Sequence, residues 1–480
     1  MRGMGKTTPE NLQEAILSGP IVKTLFWLGW PIMLTHFFQI AYNLTDTFWL
    51  GRLGTNEIAA PTMAWPMVFL LISLAGGLGV AGVALVSQYA GAKNEAEVKK
   101  SAGQVMVLLV IVGVVISVVG VLVSDLLLQF LGPTQAVFDL ASPYIKLIFA
   151  SMPFMFIIMV YSLILRGWGD TRTPMYISAF SVGLNMILDP ILILGVGGFM
   201  PGLGVVGAGV ATLVSRSIGG ILCLYLLFRG KRTLTISRSD LRIEKERAKQ
   251  IFKIGIPASV GQATVAFGFL VMVGLVAQAG AQQGPDMNTI ALASYGIGTR
   301  VISIVFVIIG GLTGAAITMI GQNLGAEKQD RSAKVLRHTI VITALILLVC
   351  SITFFILRNE IFAVFLQDPR VIEEGGRMLT IFGLSIMFFG VYASALSAFQ
   401  AAGHTIPTMV LGMVRLWLMR IPFSYFLAFV LGWGLTGLWV GMALSNVTSA
   451  AAALLWVSSG RWKKGVIAKP AGAEGVEGDL

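Results

Sequence analysis

"GGLGVAGVALVSQYAGAK" occupies residues 76–93, and "GGLTGAAITMIGQNLGAE" occupies residues 310–327. The two stretches align without gaps at an offset of 234 and share Gly76/Gly310, Gly77/Gly311, Leu78/Leu312, Gln88/Gln322, Gly91/Gly325 and Ala92/Ala326. The same offset recurs at Gly169/Gly403, Thr171/Thr405 and Met175/Met409. Self-similarity at a fixed offset predicts a chain built from two related halves.

The composition predicts an all-α polytopic membrane protein. Of the 480 residues, 56% are hydrophobic and only 12% are charged, whereas a soluble domain carries roughly 25% charged residues. A membrane-spanning helix needs about 20 mostly apolar residues. Stretches of this kind are predicted at 20–46, 58–90, 101–124, 137–165, 173–197, 204–228, 248–279, 289–321, 335–357, 372–400, 405–431 and 435–458.

These twelve spans divide into two sets of six. Because six is even, the halves point the same way through the bilayer, which is the parallel-repeat plan of many transporters. We therefore predict an N-terminal lobe at 1–230, a basic linker at 231–250, a C-terminal lobe at 251–460 and a disordered tail at 461–480.

The net charge of +11 comes from Lys and Arg residues that gather in alternate loops, as in the linker and around Lys93 and Lys328. This is the positive-inside pattern, and it predicts a plasma (inner) membrane protein with both termini cytoplasmic rather than a nucleic-acid-binding protein. The two cysteines lie in apolar runs and the three histidines show no ligand spacing, so no cofactor is expected.

Motifs typical of enzymes occur without the context that gives them meaning. Three GxGxxG matches begin at Gly77, Gly202 and Gly432, but none follows a strand of a βαβ unit. A GxGD sequence ends at Asp170, but the chain contains no Tyr-Asp pair to complete an intramembrane aspartyl protease site. We therefore predict that the protein is not an enzyme.

Two acids lie inside predicted spans, Asp46 in the first and Asp189 in the fifth. An ionisable residue in a span costs about 2.5–3.5 kcal/mol at the helix centre, which predicts a cavity or a partner. Asn185 lies one turn before Asp189, and Pro190 frees the carbonyl of Met186, so hard oxygen ligands converge on this helix.

The second half of the repeat carries no equivalent acids. Residues 272–280, the counterpart of Asp46, contain none, and residues 415–423, the counterpart of Asp189, contain Arg415 and Arg420. A scaffold role common to both halves therefore does not explain the acids. If the two aspartates approach each other, the pair must share a proton or bind a metal cation. The alternative is that Asp46 caps a helix at the interface and Asp189 is neutralised by a structural hydrogen bond.

The first span and its continuation, "GWPIMLTHFFQIAYNLTDTFWLGRLGTNEIAA" at 29–60, resemble the signature of multidrug and toxic compound extrusion (MATE) transporters. The QxxGA elements of the repeat and "LNMILDP" at 184–190 extend the resemblance over about residues 15–458. Acids confined to the first half resemble the DinF-like branch. The resemblance implies two six-helix lobes in a V, and export of amphipathic or cationic drugs in exchange for H⁺ or Na⁺.

The resemblance also implies a role for particular residues. A coupling-cation site is expected at Asp46, Asn185 and Asp189, with Thr212 as a further oxygen ligand for Na⁺ and Tyr144 nearby. Pro31 is expected to be the point at which the first span bends. We expect the drug to contact Gln39, Tyr42 and Ser162.

The partners expected are small-molecule drugs and membrane lipids, with no nucleic acid and with a functional monomer. Two alternatives remain at this point. A lipid-linked precursor flippase of the same superfamily would use cavity cations such as Arg300, Arg415 and Arg420 for a pyrophosphate. A passive channel is disfavoured by the different residues in the two halves.

Overall fold

The structure is a computed structural model that describes residues 9–130, 132–197, 200–230 and 234–467. Nearly all of this part of the chain is helical. Its helices are α1 (Pro9–Leu17), α2 (Ile21–Gly51), α3 (Thr55–Gly91), α4 (Glu95–Phe130), α5 (Gln135–Trp168), α6 (Arg172–Leu194), α7 (Gly204–Arg229), α8 (Lys245–Ala281), α9 (Met287–Gly325), α10 (Gln329–Ile356), α11 (Arg358–Phe365), α12 (Pro369–Met378), α13 (Ile386–Ala402), α14 (Thr405–Met413), α15 (Ile421–Tyr425) and α16 (Gly434–Ser458).

Smaller elements complete this description. A two-residue hairpin, β1 (Gly195–Val196) and β2 (Met200–Pro201), joins α6 to α7. Three π-helical segments interrupt helices of the second half, at Leu379–Gly383, Val414–Arg420 and Phe426–Val430. Short 3-10 turns lie at Arg238–Leu241 and Arg461–Lys463.

The predicted multi-pass architecture is confirmed. Within the described residues, eleven helices are long and apolar enough to cross a membrane, and the segments Pro369–Gly383 and Ile386–Ala402 together form a twelfth span with a 43° bend. Each predicted span overlaps one of these twelve. Most helices extend a few residues past the prediction, because a helix continues into polar residues that the apolar window leaves out.

The bend in the tenth span lies at residues 384–385, between the π-helical segment and α13. Side chains of neighbouring helices bind polar groups at this break. The Ser351 hydroxyl donates to the Gly383 carbonyl at 2.9 Å, and Asn446 Nδ2 donates to Ser385 Oγ at 2.9 Å. Partners of this kind are what stabilise an interrupted helix inside a membrane.

The repeat quoted from the sequence forms the contact between the two lobes. A Cβ added to Gly91 would overlap the carbonyl oxygen of Gln322, and a Cβ added to Gly325 would overlap the carbonyl oxygen of Gln88. The ends of α3 and α9 therefore touch through their backbones at symmetry-related positions. Only glycine allows helices to approach so closely.

The glutamines of the repeat also form reciprocal hydrogen bonds. Gln88 Nε2 donates to the carbonyl of Ala401 at 2.7 Å, and Gln322 Nε2 donates to the carbonyl of Gly167 at 3.0 Å. Both members of one bond are related to the members of the other by the offset of 234 found in the sequence. The two halves are thus related by a pseudo-two-fold arrangement around this contact.

The first spans of the lobes also cross between the two cores. Leu25 and Leu28, at the start of α2, are buried in a cluster formed mostly by the second half. Ile251 and Ile254, at the start of α8, are buried in the core of the first half. This exchange joins the lobes at the end of the molecule that carries the basic loops at Lys93 and Lys328.

The part of α2 that precedes residue 37 packs on α9, as at Gly29, Met33 and His36. Beyond it, α2 exposes Phe37 and Leu44, and α9 exposes Phe306. The lobes are thus joined at the end that carries the basic loops, as in the V-shaped fold expected from the sequence.

One domain boundary differs from the prediction. Helix α8 begins at Lys245, so the linker ends before residue 250. In the described part of the predicted tail, residues 461–467, Val466 and Ile467 donate backbone hydrogen bonds to Gln88 Oε1 at 2.9 and 3.4 Å. The rest of the predicted tail, 468–480, lies outside the described residues, as do linker residues 231–233.

Candidate cation site in the N-terminal lobe

Helices α2 and α6 bring the two intramembrane aspartates together. Asp46 and Asp189 are separated by well over a hundred residues in the chain, yet their carboxyl groups lie within hydrogen-bonding reach of each other. Asp46 is 8% exposed and Asp189 is fully buried. Neither belongs to an ion pair among the described residues. The carboxylates thus share one enclosed polar site.

Neighbouring side chains complete this site, which we call the acid cluster: Asp46, Asp189, Asn185, Tyr42 and Thr212. Asn185 Nδ2 donates to Asp189 Oδ1 at 3.1 Å, and the Tyr42 hydroxyl donates to Thr212 Oγ1 at 2.6 Å. All five side chains are buried. The cluster joins α2, α6 and α7, so a change in its charge acts on three helices at once.

Three oxygens of the acid cluster have no hydrogen-bond donor among the described residues. They are Oδ1 of Asp46, Oδ2 of Asp189 and Oδ1 of Asn185. A buried oxygen without a donor carries a free-energy cost of about 1–3 kcal/mol, and a charged oxygen costs more. A carboxylate oxygen without a partner can accept a proton, and carboxylate and amide oxygens can both coordinate Na⁺. The residues present therefore fit a small cation.

Tyr144 and Arg216 border the acid cluster. Tyr144 is buried on α5, where its ring packs near Gly209 of α7. Arg216, one turn after Thr212 on α7, lies with its guanidinium carbon 5.7 Å from the centre of the Tyr42 ring, and it donates to Ser151 Oγ at 2.9 Å. Arg216 is close enough to act electrostatically on Asp46. Arg216 could be expected from the sequence to interact with helix-end carbonyls, but its place beside the acid cluster was not predicted, although its spacing of four residues from Thr212 could have indicated it.

Charge is not balanced in this site. Two ionised carboxylates and one guanidinium leave a single uncompensated negative charge. Two like charges about 4 Å apart repel by about 4 kcal/mol at the effective dielectric constant of a protein interior. One bound monovalent cation removes the net charge and the repulsion together.

The residues predicted to bend the first span and to contact the drug lie in different surroundings. Pro31 lies inside the continuous helix α2 and leaves the carbonyl of Trp27 without its helical donor, while Thr35 Oγ1 donates to the Pro31 carbonyl at 2.9 Å. Gln39 is exposed on α2. Tyr42 belongs to the acid cluster, and the Ser162 hydroxyl donates to Ile158 of its own helix at 2.8 Å. No hydrogen bond given for the described residues joins Gln39, Tyr42 and Ser162 to one another.

The C-terminal lobe has a different set of charges at the equivalent place. Arg415 and Arg420 lie in the π-helical segment Val414–Arg420. Arg420 is buried and donates to Ser445 Oγ and Asn446 Oδ1. Arg300, the third arginine considered from the sequence, is exposed on α9. The two lobes thus share a backbone plan but carry opposite charges.

Comparison with known proteins identifies the class to which this fold and site belong. The model of the MatE family matches residues 31–191 and 257–426, which together cover more than half of the chain. The chain therefore belongs to the MatE family, whose members are membrane transporters and not enzymes.

Individual relatives are similar over almost their whole length. The probable multidrug resistance protein YoeA of Bacillus subtilis is 29% identical over 441 residues, covering 90% of this chain and 93% of that protein. The probable multidrug resistance protein NorM of Thermotoga maritima is 27% identical, covering 92% and 94%. A solved outward-facing structure of a multidrug resistance MATE family transporter shares the fold, with a TM-score of 0.86, 24% identity and coverage of 95% and 98%.

Proposed function

We propose that this protein exports amphipathic or cationic organic compounds across the plasma membrane in exchange for one H⁺ or Na⁺ per cycle. The names of the relatives support multidrug export, and the acids confined to the first lobe agree with the DinF-like branch. The observation that carries the coupling proposal is the meeting of Asp46 and Asp189 in one buried site with unpartnered oxygens.

The proposed site is the acid cluster, with Tyr144 and Arg216 as its neighbours. Asp46 and Asp189 take the cation, while Asn185 and Thr212 supply further oxygens when the ion is Na⁺. Arg216 limits the site to a single monovalent charge. Because Tyr42 donates to Thr212, entry of Na⁺ at Thr212 changes the hydrogen bonding of α2 as well as of α7.

Coupling then follows from the position of α2. This helix carries Asp46 at the cluster, and Pro31 lies between Gly29 and Met33, which contact the other lobe. A neutralised cluster no longer repels internally, so α2 moves toward α6 and α7 and bends where Pro31 has removed a hydrogen bond. The movement narrows the space beside the cluster and releases the drug, and bound drug opposes cation binding by the same free energy.

The orientation proposed places the basic loops and both termini in the cytoplasm. The proposal places the opening of the V on the outer side of the membrane, which gives a drug a path to the outside. Gln39, Tyr42 and Ser162 are proposed to meet the drug at different stages of this path, with Gln39 exposed before binding. The transporter is proposed to function as a monomer in contact with membrane lipids.

The experiment is gradient-driven ethidium or norfloxacin efflux from vesicles that contain Asp46→Asn or Asp189→Asn protein. Each substitution removes one carboxylate and therefore the uncompensated charge, so export should fall by about tenfold or more, within the range of allosteric coupling free energies. Asp139→Asn is the matched control, because Asp139 is an exposed acid of the same lobe. Wild-type export by both cluster variants would contradict the proposal.

A further inference from the structure

A second polar site lies in the C-terminal lobe, away from the acid cluster. It is a cavity of about 110 Å³ between α8, α9, α16 and the broken tenth and eleventh spans. One water molecule accounts for about 30 Å³ of liquid volume. The cavity therefore has room for a carboxylate or phosphate group and the edge of a ring that carries it.

Two arginines line this cavity and neither has an acidic partner among the described residues. Arg420 Nε donates to Ser445 Oγ at 3.0 Å, and Arg420 Nη2 donates to Asn446 Oδ1 at 2.8 Å. Arg415 contacts the hydroxyl of Tyr392, and its buried Nε has no hydrogen-bond partner. The guanidinium groups thus keep unused donors beside an enclosed space.

Among the described residues of the C-terminal lobe, the one buried acid is Glu374, which is already engaged. Glu374 Oε1 accepts from Trp439 Nε1 at 2.7 Å, and its other oxygen accepts from Arg377 at 3.0 Å. Arg415 and Arg420 therefore leave two positive charges uncompensated within a membrane-spanning lobe. A charge inside a span is costly, which is why such residues mark ligand or ion pathways.

Aromatic rings surround the same arginines. The guanidinium carbon of Arg415 lies 4.3 Å from the centre of the Phe389 ring, and that of Arg420 lies 5.5 Å from the Phe382 ring. Phe269 and Phe306 also line the cavity, and their side chains are 39% and 43% exposed. A flat aromatic molecule can stack at this rim while a charged group reaches the arginines.

The backbone is irregular at this cavity and regular at its counterpart. Phe382 lies in the π-helical segment Leu379–Gly383, and both arginines lie in Val414–Arg420, whereas α6 in the first lobe is a continuous α-helix. π-Helical turns occur frequently at functional sites, because the extra residue turns side chains toward a new direction.

We propose that this cavity is a substrate subsite that binds the oxyanion group, carboxylate or phosphate, of a planar aromatic compound. Charge-assisted hydrogen bonds from Arg415 and Arg420 hold the oxyanion, and the aromatic rim holds the ring. The proposal deepens the proposed function by naming a substrate class, and it rests on that function for the step of export. A zwitterionic drug would place its cationic and anionic groups toward the two lobes.

The test is equilibrium binding to the purified full-length protein in detergent, without an ion gradient. The probes are naphthalene-2-carboxylate, 1-naphthyl phosphate and neutral naphthalene-2-carboxamide. Wild-type protein should bind at least one of the two anions about tenfold more tightly than the amide, which corresponds to one charge-assisted hydrogen bond. Equal affinity for the anions and the amide would overturn the proposal.

Substitutions at Arg415 test whether the anionic probes bind in this cavity. Arg415→Gln should lose that preference, Arg415→Lys should retain part of it, and the control Arg337→Gln, at an exposed arginine of α10, should retain all of it. The comparison of Lys with Gln separates loss of charge from a failure to fold. An unchanged preference in Arg415→Gln, or occupation by anionic phosphatidylglycerol with no binding of naphthyl phosphate, would also overturn it.

The acid cluster separates this proposal from the proposed function. Asp189→Asn protein should bind the anionic probes like wild type, even when it no longer exports. If Asp46→Asn and Asp189→Asn both export normally while the arginine variants lose anion binding, the coupling proposal fails and the subsite proposal stands.

Discussion

The two lobes share a scaffold and differ in charge. At the inner contact, Gly91 and Gln88 of the first lobe repeat as Gly325 and Gln322 of the second and make equivalent contacts. Within the spans, the first lobe buries Asp189 where the second lobe carries Arg415 and Arg420. Duplication therefore preserved the residues that hold the lobes together, whereas the residues facing the polar sites diverged.

This difference between the lobes separates the residues of the scaffold from those of the transport chemistry. A residue present in both halves with the same contacts is explained by packing. A buried charge present in one half alone has no structural counterpart and is better explained by a ligand. Substitutions of residues of each kind test this division.

The largest effect is expected at the glycine pair. Gly91→Val and Gly325→Val each place a branched side chain against a backbone carbonyl that cannot move aside, so each should lower the free energy of unfolding by about 3 kcal/mol. Thermal unfolding of the purified variants measures this. Gly274→Ala is the control, because a Cβ there meets nothing within 4 Å. If one glycine tolerates valine and the other does not, the two halves do not carry equivalent contacts.

A smaller effect is expected at the glutamine pair. Gln88→Leu and Gln322→Leu each remove donors to carbonyls of the other lobe, which should cost about 1 kcal/mol per hydrogen bond. Gln88→Leu should be the more damaging, because Gln88 Oε1 also accepts from Val466, whereas Gln322 Oε1 has no partner among the described residues. Unfolding midpoints of the two variants and of a chain truncated after Lys464 provide the comparison. Equal midpoints for the two leucine variants would contradict the role given to the C-terminal segment.

Much of the fold was predictable because hydropathy and repeats are properties of the sequence itself. The twelve spans follow from apolar length, and the offset of 234 indicates the two lobes. The helix α1 was not predicted, since it is too short for a span, and its Ile16 carbonyl accepts from Asn323 and Arg331 of the second lobe. Such packing depends on distant residues that no local pattern shows.

The candidate site was predictable only in part. The rarity of acids inside spans singled out Asp46 and Asp189, because an unpartnered carboxylate there is costly. The position of Arg216 beside Tyr42 and the π-helical turns around Arg415 and Arg420 depend on how helices pack. The sequence therefore indicated which residues carry charge but not how many charges remain uncompensated.

The most direct test of the account counts the cations that the acid cluster holds. Purified protein should bind a single H⁺ or Na⁺, measured by proton uptake in weak buffer and by radioactive Na⁺ binding, and addition of a transported drug should release that ion. Asp189→Asn protein should bind and release none. A drug that binds wild-type protein without displacing a cation, or an Asp189→Asn protein that still releases one, would contradict the claim that Asp46 and Asp189 share a coupling ion.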